Sequence, residues 1–161
     1  MYRSPCIISI FFRKFATMTI KTLIDRLHQE QCSLVLLDTS GRIRTFGKPG
    51  VRDLEYLLDH EPQALRGARI ADKVVGKAAA GMMVVGGVCE VYADVMSRKA
   101  LPLLDDAHID YSFGVLADQI VIPEGDTRCP LEQIVAPADT AEQVVEMLRA
   151  HFREKVSGAK H

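Results

Sequence analysis

Tryptophan is absent from the 161-residue chain and aromatic residues make up only 6% of it, so any core must be built from aliphatic side chains. No CxxC pair occurs among the four cysteines (Cys6, Cys32, Cys89, Cys129). Such scattered spacing suits free thiols in a reducing compartment better than a disulfide framework, and the expected location is the cytoplasm. Charge of one sign is not in excess. The formal net charge is -1, which speaks against a broad nucleic-acid-binding face, since such faces need clustered Lys and Arg. No apolar run reaches the length of a membrane span. The five histidines (His28, His60, His108, His151, His161) show no paired spacing. There is also no P-loop, no Rossmann glycine pattern and no Ser-His-Asp arrangement.

What is present is an ordinary globular balance, 48% hydrophobic and 25% charged, in a chain of single-domain length that can bury a core without disulfides. Residues 1–17 stand apart. Basic residues bracket the apolar run Cys6 to Phe12. A signal h-region or a presequence is one reading of it, but basic residues follow the run and no small-x-small cleavage site appears. The expectation is an unstructured or mis-assigned extension (1–17), a single domain over 18–156, and a frayed tail from 157 to 161.

Within the domain, Ile20–Gln29 has mostly helical spacing. Ser33–Asp38, the Thr39-Ser40-Gly41 turn and Arg42–Phe46 make a β-hairpin. Val51 to Leu58 follow a helical period that Pro62 stops. Asp72 is placed to cap a helix of small residues, Gly76-Lys77-Ala78-Ala79-Ala80-Gly81, that lies flat on the sheet and ends at Gly86-Gly87. A strand over Val88–Val95 follows. Ser97 caps the next helix, in which Pro102 is expected to cause distortion or an early end. Strands follow at His108–Phe113 and Asp118–Ile122, with a turn at Pro123–Asp126. Asp139 and Glu142 resemble a capping box opening a final amphipathic helix. Strands alternating with helices after an opening hairpin predict an α/β fold, a three-layer α/β/α sandwich on a mixed sheet.

The segment from Ala71 to Ala80, the Val88–Ser97 strand and Cys129-Pro130-Leu131-Glu132 together resemble a bacterial family known as domain of unknown function 1893. The resemblance runs from about Ile20 to Phe152 and implies a cytidine-deaminase-like fold. It supplies no activity. Zinc deaminases place a His or Cys ligand and a Glu at one helix start and a PCxxC pair at the next. Here the corresponding stretches read Asp72-Lys73-Val74 and Met96-Ser97-Arg98, which lack zinc ligands, so neither a metal nor any other cofactor is expected.

In the related fold the helix opened at Asp72 would point its N-terminus into the active pocket, where backbone N–H groups attract anions. Asp72, Lys73, Gly76, Lys77, Ser97 and Glu132 are therefore the candidate ligand-binding residues, with Lys73 and Lys77 on one helix face. The bland alternatives are a cap, a packing glycine and solvated lysines. Cys129, ahead of Pro130 and beside Arg128, is a candidate nucleophile at a helix N-cap, with Lys77 as its catalytic companion. The competing reading is a small buried thiol at a turn. Three functions follow. One is a metal-free deaminase-like domain that binds a small anionic or nucleotide-like metabolite in a sensing or regulatory role. The second is a metal-independent transferase using Cys129 with Lys73 or Lys77. The third is a structural or homo-oligomerising module with the small-residue helix as its packing surface.

Overall fold

A computed structural model describes residues 19–48, 50–122 and 127–158, with the backbone alone at 127 and 128. Expectations for residues 1–17, for the Pro123–Asp126 turn and for 159–161 lie outside the described residues. The helices are α1 (Ile20–Gln29), α2 (Arg52–His60), α3 (Pro62–Leu65), α4 (Lys77–Gly86), α5 (Leu101–Asp106), α6 (Pro130–Ile134) and α7 (Ala141–Gly158). The strands are β1 (Leu34–Leu37), β2 (Ile43–Phe46), β3 (Arg69–Val75), β4 (Glu90–Ser97), β5 (Asp110–Ala117), β6 (Val121–Ile122) and β7 (Thr127–Arg128).

Five strands form one mixed sheet in the order β2-β1-β3-β4-β5. β1 is antiparallel to both of its neighbours, while β3, β4 and β5 run parallel. The last two strands make a separate two-stranded ribbon. Alternation along β1 sorts the core. Leu34 and Leu36 join one cluster with α2 to α7, and Val35 joins a second with Leu23 and Leu27 of α1 and Ala71 of β3. Each fully buried leucine contributes roughly 1.5–3 kcal/mol by leaving water.

The small-residue run shapes the larger cluster. A Cβ on Gly81 would stand 2.4 Å from Val144 Cγ1 of α7, and one on Gly86 would stand 2.8 Å from Leu65 of α3. α4 is therefore wedged between the sheet and other helices, and its small surface is used within the chain. This corrects the expectation that the helix offers a packing face to a second molecule. Gly87 ends α4 in the left-handed region (φ 81°), and Val88 N–H and Gly87 N–H return to the carbonyls of Met83 and Val84, closing the last turn.

Several other expectations shift. Asp72 is not a helix cap. It lies inside β3, opposite Leu34 and Ala93, and the ladder with β4 carries the strand on through Val74 and Val75 to Gly76, which is the N-cap. Lys73 is thus an exposed strand residue and shares no helix face with Lys77. Pro102 sits in the first turn of α5, where its missing N–H costs nothing, and the stretch that Ser97 opens is split beside it into the 3-10 turn Arg98–Ala100 and the short α5. β5 is longer than expected, reaching Ala117, and only Val121–Ile122 of the next segment is strand. The final capping box lies one residue on from its expected place. Thr140 Oγ1 accepts from Gln143 N–H at 3.2 Å, and Gln143 Oε1 accepts from the N–H groups of Thr140 and Asp139. Ser157 and Gly158 continue α7. Cys32 and Cys129 are free thiols. Among the described residues no helix is long and apolar enough to cross a membrane.

Gly81→Ala is expected to destabilise the chain by roughly 1–3 kcal/mol through overpacking, outweighing a gain of up to ~1 kcal/mol in helix propensity. Urea unfolding measures this, and Val144→Ala in the same chain should recover part of the loss. A Gly81→Ala chain as stable as the parent would contradict the close approach.

Candidate functional site

The carboxyl ends of β3 and β4 bring together one group of the expected residues. Val75 is paired with Met96, so Gly76 and Ser97 leave adjacent strands side by side. Ser97 is fully buried and its Oγ accepts from Lys99 N–H at 3.2 Å, so it does cap, although the turn it caps is the 3-10 segment Arg98–Ala100 that leads into α5. From the other side α6 supplies Glu132, which is only 4% exposed. Its Oε2 accepts from Ile120 N–H at 2.8 Å. Cys129 N–H in turn donates to the Ile120 carbonyl at 3.0 Å. Ile120 is thereby held on both sides by the Cys129–Glu132 segment.

Glu132 Oε1 is different. It is buried without a hydrogen-bond partner and lies against Gly76, where a Cβ would come within 3.2 Å of it. An unsatisfied buried acceptor costs about 1–3 kcal/mol. The N-terminus of α4 beside it eases that cost, because the helix dipole favours negative charge there.

Lys77 opens α4 but does not point at this carboxylate. Its Nζ donates to the carbonyls of Ala136 at 3.0 Å and Ala138 at 2.6 Å, fastening the α6–α7 connection to α4. An ammonium spent on two carbonyls is a poor proton carrier for Cys129. Cys129 itself is partly buried at the N-cap of α6, and its side chain makes no capping hydrogen bond.

Asp72 and Lys73 belong elsewhere. Asp72 lies four residues before Gly76 in an extended strand, about 13 Å away along it. It is buried, and its Oδ1 accepts from Val74 N–H at 3.1 Å. Burial pushes its carboxyl up to about 7, the nearby acids Asp94 and Asp53 push the same way, and the N–H groups of Val74 and Lys73 oppose them. Asp53, buried at the start of α2, accepts from Lys48 N–H at 2.9 Å.

Next to Asp72 the register skips one level across three strands. Asp72, Ala93 and Phe113 pair, then Val74, Val95 and Val115, leaving Lys73, Asp94 and Gly114 unpaired in the ladders. A Cβ on Gly114 would meet the Asp94 carbonyl oxygen at 2.9 Å, which explains the glycine there. Here Asp94 Oδ1 receives Tyr92 OH at 2.9 Å and lies 2.7 Å from His28 Nε2 of α1. His28, Tyr92 and Asp53 were not expected from sequence. Their only signal is a polar residue interrupting an apolar stretch, which does not say what it meets.

An open groove of about 900 Å³ runs between α2 and α7, lined by Glu55, Asp59, Glu146, Arg149 and Phe152 among others. It holds none of the expected site residues. Among the described residues no three His, Cys, Asp or Glu side chains are grouped as a metal site.

The fold and this polar edge define a mixed-sheet α/β domain, five strands in the larger sheet and seven helices among the described residues. The family model for DUF1893, a domain of unknown function, matches residues 22–152, and the chain belongs to that family. Its structure is similar to the crystal structure of a DUF1893 family protein from Thermotoga maritima, with a TM-score of 0.73 and 23% identity over 82% of this chain and 88% of the other. That likeness concerns the fold. No curated protein matches the chain.

Two outcomes test these assignments. Asp72 binds its proton more tightly folded than unfolded, so its contribution to stability is complete below the ordinary aspartate value of 3.8 and is lost as pH rises through about 7. Asp72→Asn should abolish that part of the pH dependence and be more stable than the parent at pH 8 by roughly 1–3 kcal/mol; parallel stability–pH curves for the two chains would refute it. Lys77→Met should lower the unfolding free energy by about 1–3 kcal/mol by orphaning two carbonyls, and an unchanged urea midpoint would show that the clamp is dispensable.

Proposed function

We propose that this chain is a three-layer, cytidine-deaminase-like domain without zinc chemistry, which binds a small nucleobase-like metabolite at the carboxyl ends of β3 and β4 in a sensing or regulatory role. One observation carries the reading: Glu132 Oε1, buried and unpartnered beside the N-terminus of α4. The strand order β2-β1-β3-β4-β5 with helices on both sides agrees with the deaminase-like arrangement that the sequence resemblance implies. In open α/β sheets, ligand crevices lie at the carboxyl ends of strands. Gly76-Lys77 and Ser97-Arg98 stand at those ends, and none of these residue types is a zinc ligand.

The donor and acceptor pattern narrows the ligand. A carboxylate oxygen accepts an N–H, while the first-turn N–H groups of a helix donate to an oxygen. A lactam edge, with N–H next to C=O, satisfies both. A bare phosphate satisfies the helix but is repelled by Glu132, so the nucleotide-like half of the sequence expectation is favoured over the anionic half. The transferase reading loses support because Lys77 Nζ is engaged by two carbonyls.

Thermal-shift measurements on the full chain with uracil, hypoxanthine, their nucleosides and inorganic phosphate provide the test. At least one lactam compound should raise the melting temperature, phosphate should not, and Glu132→Ala should remove the shift. No shift with any lactam, or one that survives Glu132→Ala, would end this reading.

A further inference from the structure

We infer that Asp118-Gln119-Ile120 is a gating strap across the carboxyl ends of β3 and β4, and that Glu132 is its latch. One carboxylate oxygen holds the strap shut, and the other serves the ligand proposed above, a role that rests on that reading. Ala117, the last residue of β5, pairs with Ser97, the last of β4. Three residues later Ile120 has reached the end of β3, where its Cγ1 stands 3.2 Å from the position of a Cβ on Gly76. β4 lies between β3 and β5 in the sheet, so the segment crosses the end of β4, and Ser97 at that end is fully buried. Neighbouring strands are about 4.8 Å apart, which makes the crossing about 10 Å, a distance that three extended residues span.

Glu132 Oε1 stands 3.2 Å from that same point over Gly76 and is buried without a partner. A ligand reaches it only when part of its cover moves. Gly76 is fixed: it follows Val75, which pairs with Met96, and it opens α4, which Val144 and Leu65 grip at Gly81 and Gly86. The end of α6 is tied down by Lys77 through the carbonyls of Ala136 and Ala138. The strap has the least holding it. The side chains of Asp118 and its partner Arg98 are 91% and 61% exposed, and an ion pair so far in solvent holds little. Ile120 is only partly buried, and Val121 and Ile122 beyond it are exposed. Two hydrogen bonds keep Ile120 down, its N–H to Glu132 Oε2 at 2.8 Å and its carbonyl from Cys129 N–H at 3.0 Å. Segments with so few buried contacts open locally, at less cost than global unfolding. Because both oxygens belong to one carboxyl group, strap closure and ligand capture are coupled: an open strap exposes Oε1, and a closed one retains what Oε1 has bound.

Hydrogen exchange resolved at single amides, on the full chain without ligand, tests the strap. The Ile120 amide should be protected and should exchange by a local opening that low urea does not accelerate, while the amides of the central strand β4 exchange only on global unfolding. Glu132→Ala should speed exchange at Ile120 about tenfold more than it speeds the β4 amides, as loss of one hydrogen bond to a charged group does. If that variant fails to fold, Glu132→Gln, a weaker neutral acceptor, should act in the same direction. An Ile120 amide that exchanges at the unprotected rate, or only together with β4, overturns the proposal, and so does one that the Glu132 variant leaves unchanged. Ile120→Ala keeps both backbone bonds and thins the cover, so it should raise several-fold the association rate of whichever of uracil, hypoxanthine or their nucleosides gives the thermal shift. An unchanged rate means that the strap is no gate. If none of these compounds binds, the ligand reading falls, while the exchange of Ile120 still decides whether the strap opens and whether Glu132 latches it.

Discussion

The close approach of α4 to its neighbours is the constraint on which the remaining architecture depends. α4 occupies the centre of the larger core by two means: its alanines and glycines let other helices approach closely, and Met82 and Met83 are fully buried there. Val144 enters at Gly81 and Leu65 at Gly86. Interiors are packed to crystalline density, so a single methyl at such a contact is felt through the whole interface. The position of α7 follows from that contact, and the position of α6 follows from α7 through the Lys77 clamp on Ala136 and Ala138.

The polar edge is built on the same scaffold. Gly76 ends β3 and opens α4, and its missing side chain lets the Glu132 carboxyl lie against the helix start. Glu132 then fixes Ile120, which leads into the β6–β7 ribbon. A chain of contacts thus runs from the core glycines to the carboxyl ends of the parallel strands. One oxygen in it is left unsatisfied, in a place where α/β sheets hold ligands. Across the sheet, Asp94 lies two residues beyond Tyr92 on the same face of β4 and meets both Tyr92 and His28. Beyond the register skip at Lys73, Asp94 and Gly114, Val74 and Val115 are left exposed.

Local signals were legible where the physics is local. The opening helix, the hairpin and the glycine stop at Gly87 follow from spacing and turn chemistry. The final cap was legible in kind and misplaced by one residue, because Asp139 and Thr140 are both capping types and only the Gln143 side chain chooses between them. Asp72 was misread for a related reason. An aspartate before a small-residue run is a good cap by propensity, but two ladders extend β3 over it, and tertiary pairing outweighs a cap's contribution of about 1 kcal/mol. With the helix start moved to Gly76, Lys73 left the candidate site and Lys77 turned towards carbonyls that no sequence spacing reveals.

Composition and pattern by themselves determined an aliphatic α/β domain, its small-residue helix, and family membership strong enough to be seen in three short segments. These properties depend on residue type and near neighbours, and the sequence states both directly. Tertiary structure alone decided that Glu132 meets Gly76 from 56 positions away, that Lys77 is a clamp, and that Asp72 is buried among acids. Each of these turns on which distant segments share a boundary with water excluded between them, and that is fixed only when the whole chain has packed.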